Sequence, residues 1–232
     1  YQVSITDANG CPPALSPSWD FTEPAEITIS LDGTSDVTCN GDGDGTITVS
    51  ASGGSGVYTY TLTPGPVVQS TGNFTSLDGG SYTVSVTDSK GCAPAEVSGI
   101  LITDPLPVSI GNTTVTAITC FGDNNGIIDV TASGGTGALW YTLNPPGPPA
   151  QNNGTFSSLG PATYDVSVTD DNSCPPATAS NLEVIEPAPI SITDEDTSSI
   201  RCNGTNDGSI TISATGGTAP LVYTLNPGII PN

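Results

Sequence analysis

The residues of this chain best placed to do covalent chemistry are six cysteines, which fall into two periodic series. Cys39, Cys120 and Cys202 each open a glycine-rich acidic turn, whereas Cys11, Cys92 and Cys174 each close a Thr-Asp-x-x-x-Cys pattern. Both series advance in steps of 81 and 82 residues. A thiolate zinc site would need CxxC pairs or histidine, and the chain has neither. Repeated cysteines in a lysine-poor, β-rich chain instead point to disulfides formed in an oxidising compartment. All six are disulfide candidates, and three connectivities compete. Closure within a domain, Cys39 to Cys92 and Cys120 to Cys174, is the expected one, because a domain this small gains ~2–4 kcal/mol from a cross-link. Pairing of sequence neighbours would join Cys11 to Cys39, Cys92 to Cys120 and Cys174 to Cys202. The third option follows if the first inter-strand loop and the turn before the last strand lie at opposite poles of a sandwich. Cys39 would then find Cys174 in the next domain.

Carboxylates offer the second chemistry. Asn40, Asp42 and Asp44 sit in an acidic glycine loop with oxygen ligands of the kind calcium takes. The equivalent acids shift position in the other copies, to Asp123 beside Asn125 and to Asp207 beside Asn206, so a tight turn is the expected reading. Better calcium candidates are Asp88, Asp104, Asp170 and Glu186, which stand at strand ends or just before a proline. No cofactor is expected, with calcium at these positions as the one alternative the residue types suggest. The chain has no histidine, which excludes Ser-His-Asp and Cys-His nucleophilic sites. Glycoside hydrolysis by paired carboxylates needs one of them in an apolar pocket, and these acids fall in turns. Enzyme activity is not expected. Asn73, Asn112, Asn153 and Asn203 match the N-x-[ST] acceptor pattern for glycosylation. Trp19 and Trp140 occur in one copy each and read as packing rather than sugar platforms.

The elements that must position these residues are periodic. The stretch CNGDGDGTITVSASGGSGVYTYTL from Cys39 returns as CFGDNNGIIDVTASGGTGALWYTL from Cys120 and as CNGTNDGSITISATGGTAPLVYTL from Cys202. A fixed period of this size means tandem domains. Tyr1 aligns with Tyr82 and Tyr164, so residues 1–24 read as the last two strands of a preceding repeat. Prolines at 24, 105 and 187 then divide the rest into complete repeats at 25–105 and 106–187 and the front of another at 188–232.

Within a repeat, apolar residues alternate with Thr and Ser: Ile47, Val49 and Ala51, then Tyr58, Tyr60 and Leu62, then Tyr82, Val84 and Val86. This period of two reads as half-buried strands. Strands are expected over 27–38, 46–51, 58–62, 74–77, 82–86 and 97–102, with 63–72 as a long loop. Leu77-Asp-Gly-Gly-Ser-Tyr82 and Leu159-Gly-Pro-Ala-Thr-Tyr164 resemble a tyrosine corner. The expected fold class is all-β, a tandem of immunoglobulin-like β-sandwich domains with a period of about 81–82 residues.

The pattern V-T-C-N-G-x-x-D-G-x-I-T-V-x-A-x-G-G-x-x-x-Y-x-Y, followed by Y-x-V-x-V-T-D-x-x-G-C, resembles the SprB repeat. Phe121 replaces the Asn in the second copy, and Thr205 stands in the third where the first has Asp42. The resemblance covers the whole chain. It implies a cell-surface, extracellular setting in long adhesins of gliding Bacteroidetes, export by the type IX system, a stalk or adhesive role and no catalytic residue.

Charge narrows the partners. The formal net charge is −21, with Lys90 and Arg201 the only side-chain cations. Such a surface repels nucleic acid and anionic lipid, both of which need Lys or Arg to displace counterions. No apolar run is long enough for a membrane-spanning helix, so membrane insertion is not expected, and no signal peptide is recognisable in the chain shown. The expected partners are other repeats of the same chain, through lateral or end-to-end self-association in a filament, with surface polysaccharide as another. The leading functional expectation is the shaft of a long extracellular adhesin or surface filament. The alternatives are repeated carbohydrate-binding modules or a noncatalytic spacer of a larger secreted enzyme.

Overall fold

The computed structural model describes residues 1–145 and 147–226, and every regular element among them is a β-strand. The chain divides into two compact units, Tyr1–Asp104 and Pro105–Asn232.

The first unit opens with a hairpin, β1 (Ser4–Ile5) and β2 (Ala14–Leu15). Seven strands follow: β3 (Thr28–Ser35), β4 (Gly45–Ser52), β5 (Tyr58–Thr63), β6 (Val67–Gln69), β7 (Asn73–Leu77), β8 (Gly80–Asp88) and β9 (Ala95–Ile102). They form two antiparallel sheets, ordered β3-β4-β7 and β6-β5-β8-β9. In immunoglobulin lettering these are A-B-E and C′-C-F-G, the two-sheet arrangement expected from the strand pattern. Buried residues of β4 (Ile47, Val49) meet those of β5 (Tyr60, Leu62), β8 (Val84, Val86) and β9 (Ile100, Ile102) in one apolar core. Alternation is the cause: Ile47 and Val49 face inward, while Thr46, Thr48 and Ser50 are only partly buried or exposed.

The second unit repeats the plan with β10 (Ser109–Thr116), β11 (Gly126–Ser133), β12 (Leu139–Asn144), β13 (Thr155–Leu159), β14 (Ala162–Asp170) and β15 (Ala177–Val184). Its sheets are β10-β11-β13 and β12-β14-β15 around Ile128, Val130, Leu143, Phe156, Val166 and Val168. A further hairpin, β16 (Ser191–Ser198) and β17 (Ser209–Thr215), follows.

Two departures from the expected strands are informative. Residues 63–72 are not all loop, because β6 pairs with β5 through Tyr60–Gln69, Thr61–Val68 and Leu62–Val67. In the second sandwich this strand shrinks to a single bridge, Tyr141 to Gln151. Pro149 stands where the ladder would continue, and a proline has no N–H to donate. The tyrosine corner forms in both sandwiches: the Tyr82 hydroxyl donates to the Asp78 carbonyl at 3.0 Å, and Tyr164 donates to the Gly160 carbonyl at 3.1 Å.

Candidate functional site

The recurring polar residues gather at the two poles of each sandwich. At one pole the loop after β8 meets the loop between β4 and β5. Asp88 lies between them and is only 6% exposed. Its Oδ2 accepts the Ser55 amide at 2.8 Å, and its Oδ1 accepts those of Lys90 and Cys92 at 3.1 and 3.0 Å. Asp170 does the same in the second sandwich, taking the Thr136 amide at 2.8 Å and the Cys174 amide at 3.0 Å. In the N-terminal hairpin, Asp7 accepts from Asn9 and Cys11. The Thr-Asp-x-x-x-Cys pattern is therefore a loop cap, in which one carboxylate closes the turn onto the amide of the cysteine four residues on.

At the opposite pole the acidic glycine loop is capped from within. Asp44 accepts the Thr38 amide at 2.8 Å, Asn125 accepts that of Thr119 at 3.1 Å, and Asp207 accepts that of Arg201 at 3.1 Å. A neutral Asn performs the same task as two Asp residues, so an acceptor oxygen at this position matters more than a charge. Each such loop is a turn closed by a side-chain acceptor of its own. The loop is tied to the end of its own domain by Asp104, which accepts the Gly41 amide at 3.1 Å, and by Glu186, which accepts the Gly122 amide at 2.9 Å.

Within each sandwich the two calcium candidates lie apart. Asp88 and Asp104 stand at opposite poles of one sandwich, Asp170 and Glu186 at opposite poles of the other, and each accepts backbone amides. No group of three or more His, Cys, Asp or Glu that could hold a metal occurs among the described residues. The acceptor-pattern asparagines Asn73, Asn112, Asn153 and Asn203 are all exposed.

The cysteines depart from the expected pairing. Cys39 and Cys174 are disulfide-bonded, while Cys11, Cys92, Cys120 and Cys202 are free thiols. Closure within a domain, Cys39 to Cys92 and Cys120 to Cys174, does not occur, and neither does the pairing of sequence neighbours. The reason is strand length. Cys39 shares its pole with Asp104, whereas Cys92 shares the other pole with Ser55. β4 runs between those poles for 8 residues, a span of ~26 Å at about 3.3 Å per residue. A disulfide tolerates a Cα separation of only ~7 Å. The thiol of Cys92 hydrogen-bonds to Asp88, and this, with a smaller contribution from desolvation, pushes its pKa up.

One recurring residue carries a role that its place in an apparently variable loop concealed. Gln69 donates to the carbonyls of Thr71 and Asn73, and Gln151 donates to those of Asn153 and Thr155. Each clamps the loop leading into β7 or β13. The signal in the sequence was a Gln five residues before Phe74 and before Phe156.

The caps make a pH prediction. Amide bonds from Ser55 and Cys92 hold the Asp88 carboxyl well below its ordinary value of 3.8. For Asp170 burial acts upward, but the amides of Cys174, Thr136 and Asn172 outweigh it and the net shift is downward. A carboxyl with a depressed folded-state pKa adds stability that is full above its unfolded value. That contribution is lost as pH falls through the folded value. Thermal stability contributed by these caps should hold from neutral pH to about 5 and decline below about 4. Asp88→Asn removes one titrating cap, so its melting temperature should fall less steeply with acid than that of the unaltered chain. Parallel slopes between pH 5 and 2 in a melting series would contradict this.

The family model of the SprB repeat matches residues 31–67, 112–148 and 195–228. No curated protein matches the chain. Among solved structures, it is similar to three N-terminal domains of the bacteriophage RB49 Highly Immunogenic Outer Capsid protein (Hoc). The TM-score is 0.45 at 16% identity, covering 83% of this chain and 70% of that one. It is also similar to immunoglobulin domains 1–5 of Sidekick-1. There the TM-score is 0.39 at 13% identity, covering 93% of this chain and 52% of that one.

Proposed function

This chain is a tandem of SprB repeats, and on that premise we propose that it is a stretch of shaft in a long extracellular adhesin or surface filament. The repeats and their immunoglobulin-like sandwiches are a repeat-type structural region of a surface protein. The observation that carries the finer reading is where the recurring polar residues act. Asp88 and Asp170, Asp44 and Asn125, Asp104 and Glu186, and Gln69 and Gln151 all hold loops of their own sandwich. What returns in each copy is loop rigidity, the property a load-bearing spacer needs. That Cys39 and Cys174 are disulfide-bonded fits an oxidising exterior, and the net charge of −21 keeps such a surface soluble. The role is mechanical rather than catalytic, and nearest-neighbour terms set its stiffness.

Electron microscopy of intact cells labelled with an antibody against these repeats tests the reading. Label is expected on surface projections, and deleting whole repeats is expected to shorten those projections in proportion to the number removed. Label confined to the cell interior, or projections of unchanged length, would refute the shaft.

A further inference from the structure

Trp140 is expected from its single occurrence to pack, yet the fold leaves it 39% exposed. Strands β10 to β15 of its sandwich are all described, so this exposure belongs to a complete core. The buried Tyr141 and Leu143 alternate with it along β12, which turns Trp140 and Thr142 outward. The ring is not left to swing. Its Nε1 donates to Asp171 Oδ1 at 2.7 Å, and Asp171 Oδ2 accepts the Ala138 amide at 2.8 Å. Gly137 leaves room for that carboxylate, because a methyl group there would lie 2.4 Å from Oδ2. The Ala138 amide, and after it the Trp140 ring N–H, hold the Asp171 carboxyl below its ordinary value of 3.8. With the one polar atom of the indole already bonded, the exposed remainder of the ring is hydrocarbon.

The first sandwich lacks this pair. Thr59 stands where Trp140 does, and Ser89 where Asp171 does. Ser89 still accepts the amide of Val57, the counterpart of Ala138, at 3.4 Å. Gly56 still clears the space, since a methyl group there would meet the Ser89 hydroxyl at 2.3 Å. A serine therefore suffices to hold the loop. The second carboxylate oxygen of Asp171 has a different task, which is to orient the indole. Tryptophan and its acceptor, 31 residues apart in sequence, occur together in the second repeat where the first has neither.

The surroundings of the ring are hydroxyls. Register places Thr169 opposite Trp140 and Ser167 opposite Thr142, with Thr178 beyond Ser167 on β15. Val166, Val168 and Asp170 are buried, so Ser167 and Thr169 face outward with the ring. We propose that this face binds a neutral polysaccharide, with one pyranose stacked on the indole and its hydroxyls bonded to Thr142, Ser167 and Thr169. A pyranose with equatorial hydroxyls offers both chemistries at once. Its C–H bonds, positive at hydrogen, lie over the negative face of the ring, and its hydroxyls point outward from the rim. An apolar surface with a few fixed polar groups beside it is the general make-up of a ligand site. Acidic polysaccharides are disfavoured, because Asp165 lies on the same strand face and the whole chain carries a charge of −21. The strand fixes the backbone and Asp171 fixes the ring, so little ordering cost remains at binding. A single plate gives a weak contact, with a Kd of about 0.1–1 mM. The inference is separate from the shaft reading, since projection length and glycan affinity are independent measurements.

Nuclear magnetic resonance titration of the full chain tests it. The neutral probes are cellohexaose, laminarihexaose and mannohexaose, and oligogalacturonide is the acidic control. At least one neutral glycan should shift the Trp140 indole signal and the Ser167 and Thr169 amides, leave the Trp19 indole in place, and exceed the acidic control. Trp140→Ala should weaken binding at least ~10-fold, as read from the Ser167 and Thr169 amides. Asp171→Ala keeps the indole but frees it, and should weaken binding ~3-fold or more. Melting profiles check that both variants keep the second sandwich folded. Thr59→Trp with Ser89→Asp should install the plate in the first sandwich, and its new indole signal should shift with the same glycan. The proposal would be overturned if no neutral glycan shifted the Trp140 indole at millimolar concentration, or if Trp140→Ala bound as well as the unaltered chain. A folded double variant whose new indole stays unmoved would overturn the assignment of the site to this pair.

Discussion

Asp170→Ala is expected to destabilise the second sandwich by about 3–5 kcal/mol, among the largest effects of any single side-chain truncation in it. The carboxylate is 1% exposed and accepts the amides of Thr136 and Cys174. Truncation leaves those donors facing a space with no acceptor, and each unsatisfied buried amide costs about 1–3 kcal/mol. The loss exceeds that of an ordinary hydrogen bond because two loops depend on one side chain. Asp170→Asn restores the volume but turns one acceptor oxygen into a donor, so it should recover only part of the loss. Asp123→Ala, at an exposed position of the opposite pole, should stay within about 0.5 kcal/mol of the unaltered chain. Hydrogen exchange supplies the local readout. The Thr136 and Cys174 amides should lose protection in Asp170→Ala while the amides of β3 to β9 keep theirs, and unchanged protection at both sites would refute the cap.

Gly134→Ala should cost as much, for a different reason. Gly134 adopts φ +88°, a conformation that costs an L-residue about 1–2 kcal/mol. A methyl group there would also sit 2.0 Å from the Pro107 carbonyl oxygen, a distance that requires the backbone to move. Two other glycines of the same sandwich separate these terms. Gly122 has φ +83° with nothing within 4 Å of an added methyl, so Gly122→Ala should show the conformational cost alone. Gly154 lacks a positive φ, yet its methyl would lie 1.8 Å from the Val130 carbonyl oxygen, so Gly154→Ala should show the clash alone. Calorimetry of the full chain should rank Gly122→Ala mildest, at about 1–2 kcal/mol, and Gly134→Ala most severe, at about 3–5 kcal/mol. Equal melting temperatures for Gly122→Ala and Gly134→Ala would show that the loop absorbs the methyl and that the Gly-Gly turn is not a close-packed joint. The same contact recurs at Gly53 against Glu26 and at Gly216 against Pro189, each with a carbonyl oxygen within about 2 Å of the added methyl. The Gly-Gly of each repeat is therefore a packing requirement as well as a turn.

These effects divide what could be read from residues alone from what could not. Alternation of Ile47, Val49, Tyr60, Leu62, Val84 and Val86 with Thr and Ser specified the strands and their inward face, because side chains of a strand alternate by geometry. The 81- and 82-residue steps of the cysteines specified the tandem, and the spacing of Leu77 to Tyr82 specified a corner that the Tyr82 hydroxyl closes. All three are local or periodic properties, legible from the order of residues alone.

What the sequence left open depended on distances through space. Asp88 and Asp170 stood as calcium candidates at strand ends, and residue types there do not disclose that each carboxylate also caps backbone amides. Only the approach of the β4–β5 loop to the β8–β9 loop fills Asp88 with amides. Strand β6 was hidden in a loop without alternation, since its pairing comes from the exposed edge of β5 rather than from its own pattern. The cysteines are the plainest case. Their periodicity made the three members of each series equivalent, yet one of each series is bonded and the other two are free. Residue types determined that a disulfide was to be formed. Which thiols were excluded from pairing with Cys39 was decided by the ~26 Å that the strands place between the poles of a sandwich, a length no spacing in sequence records.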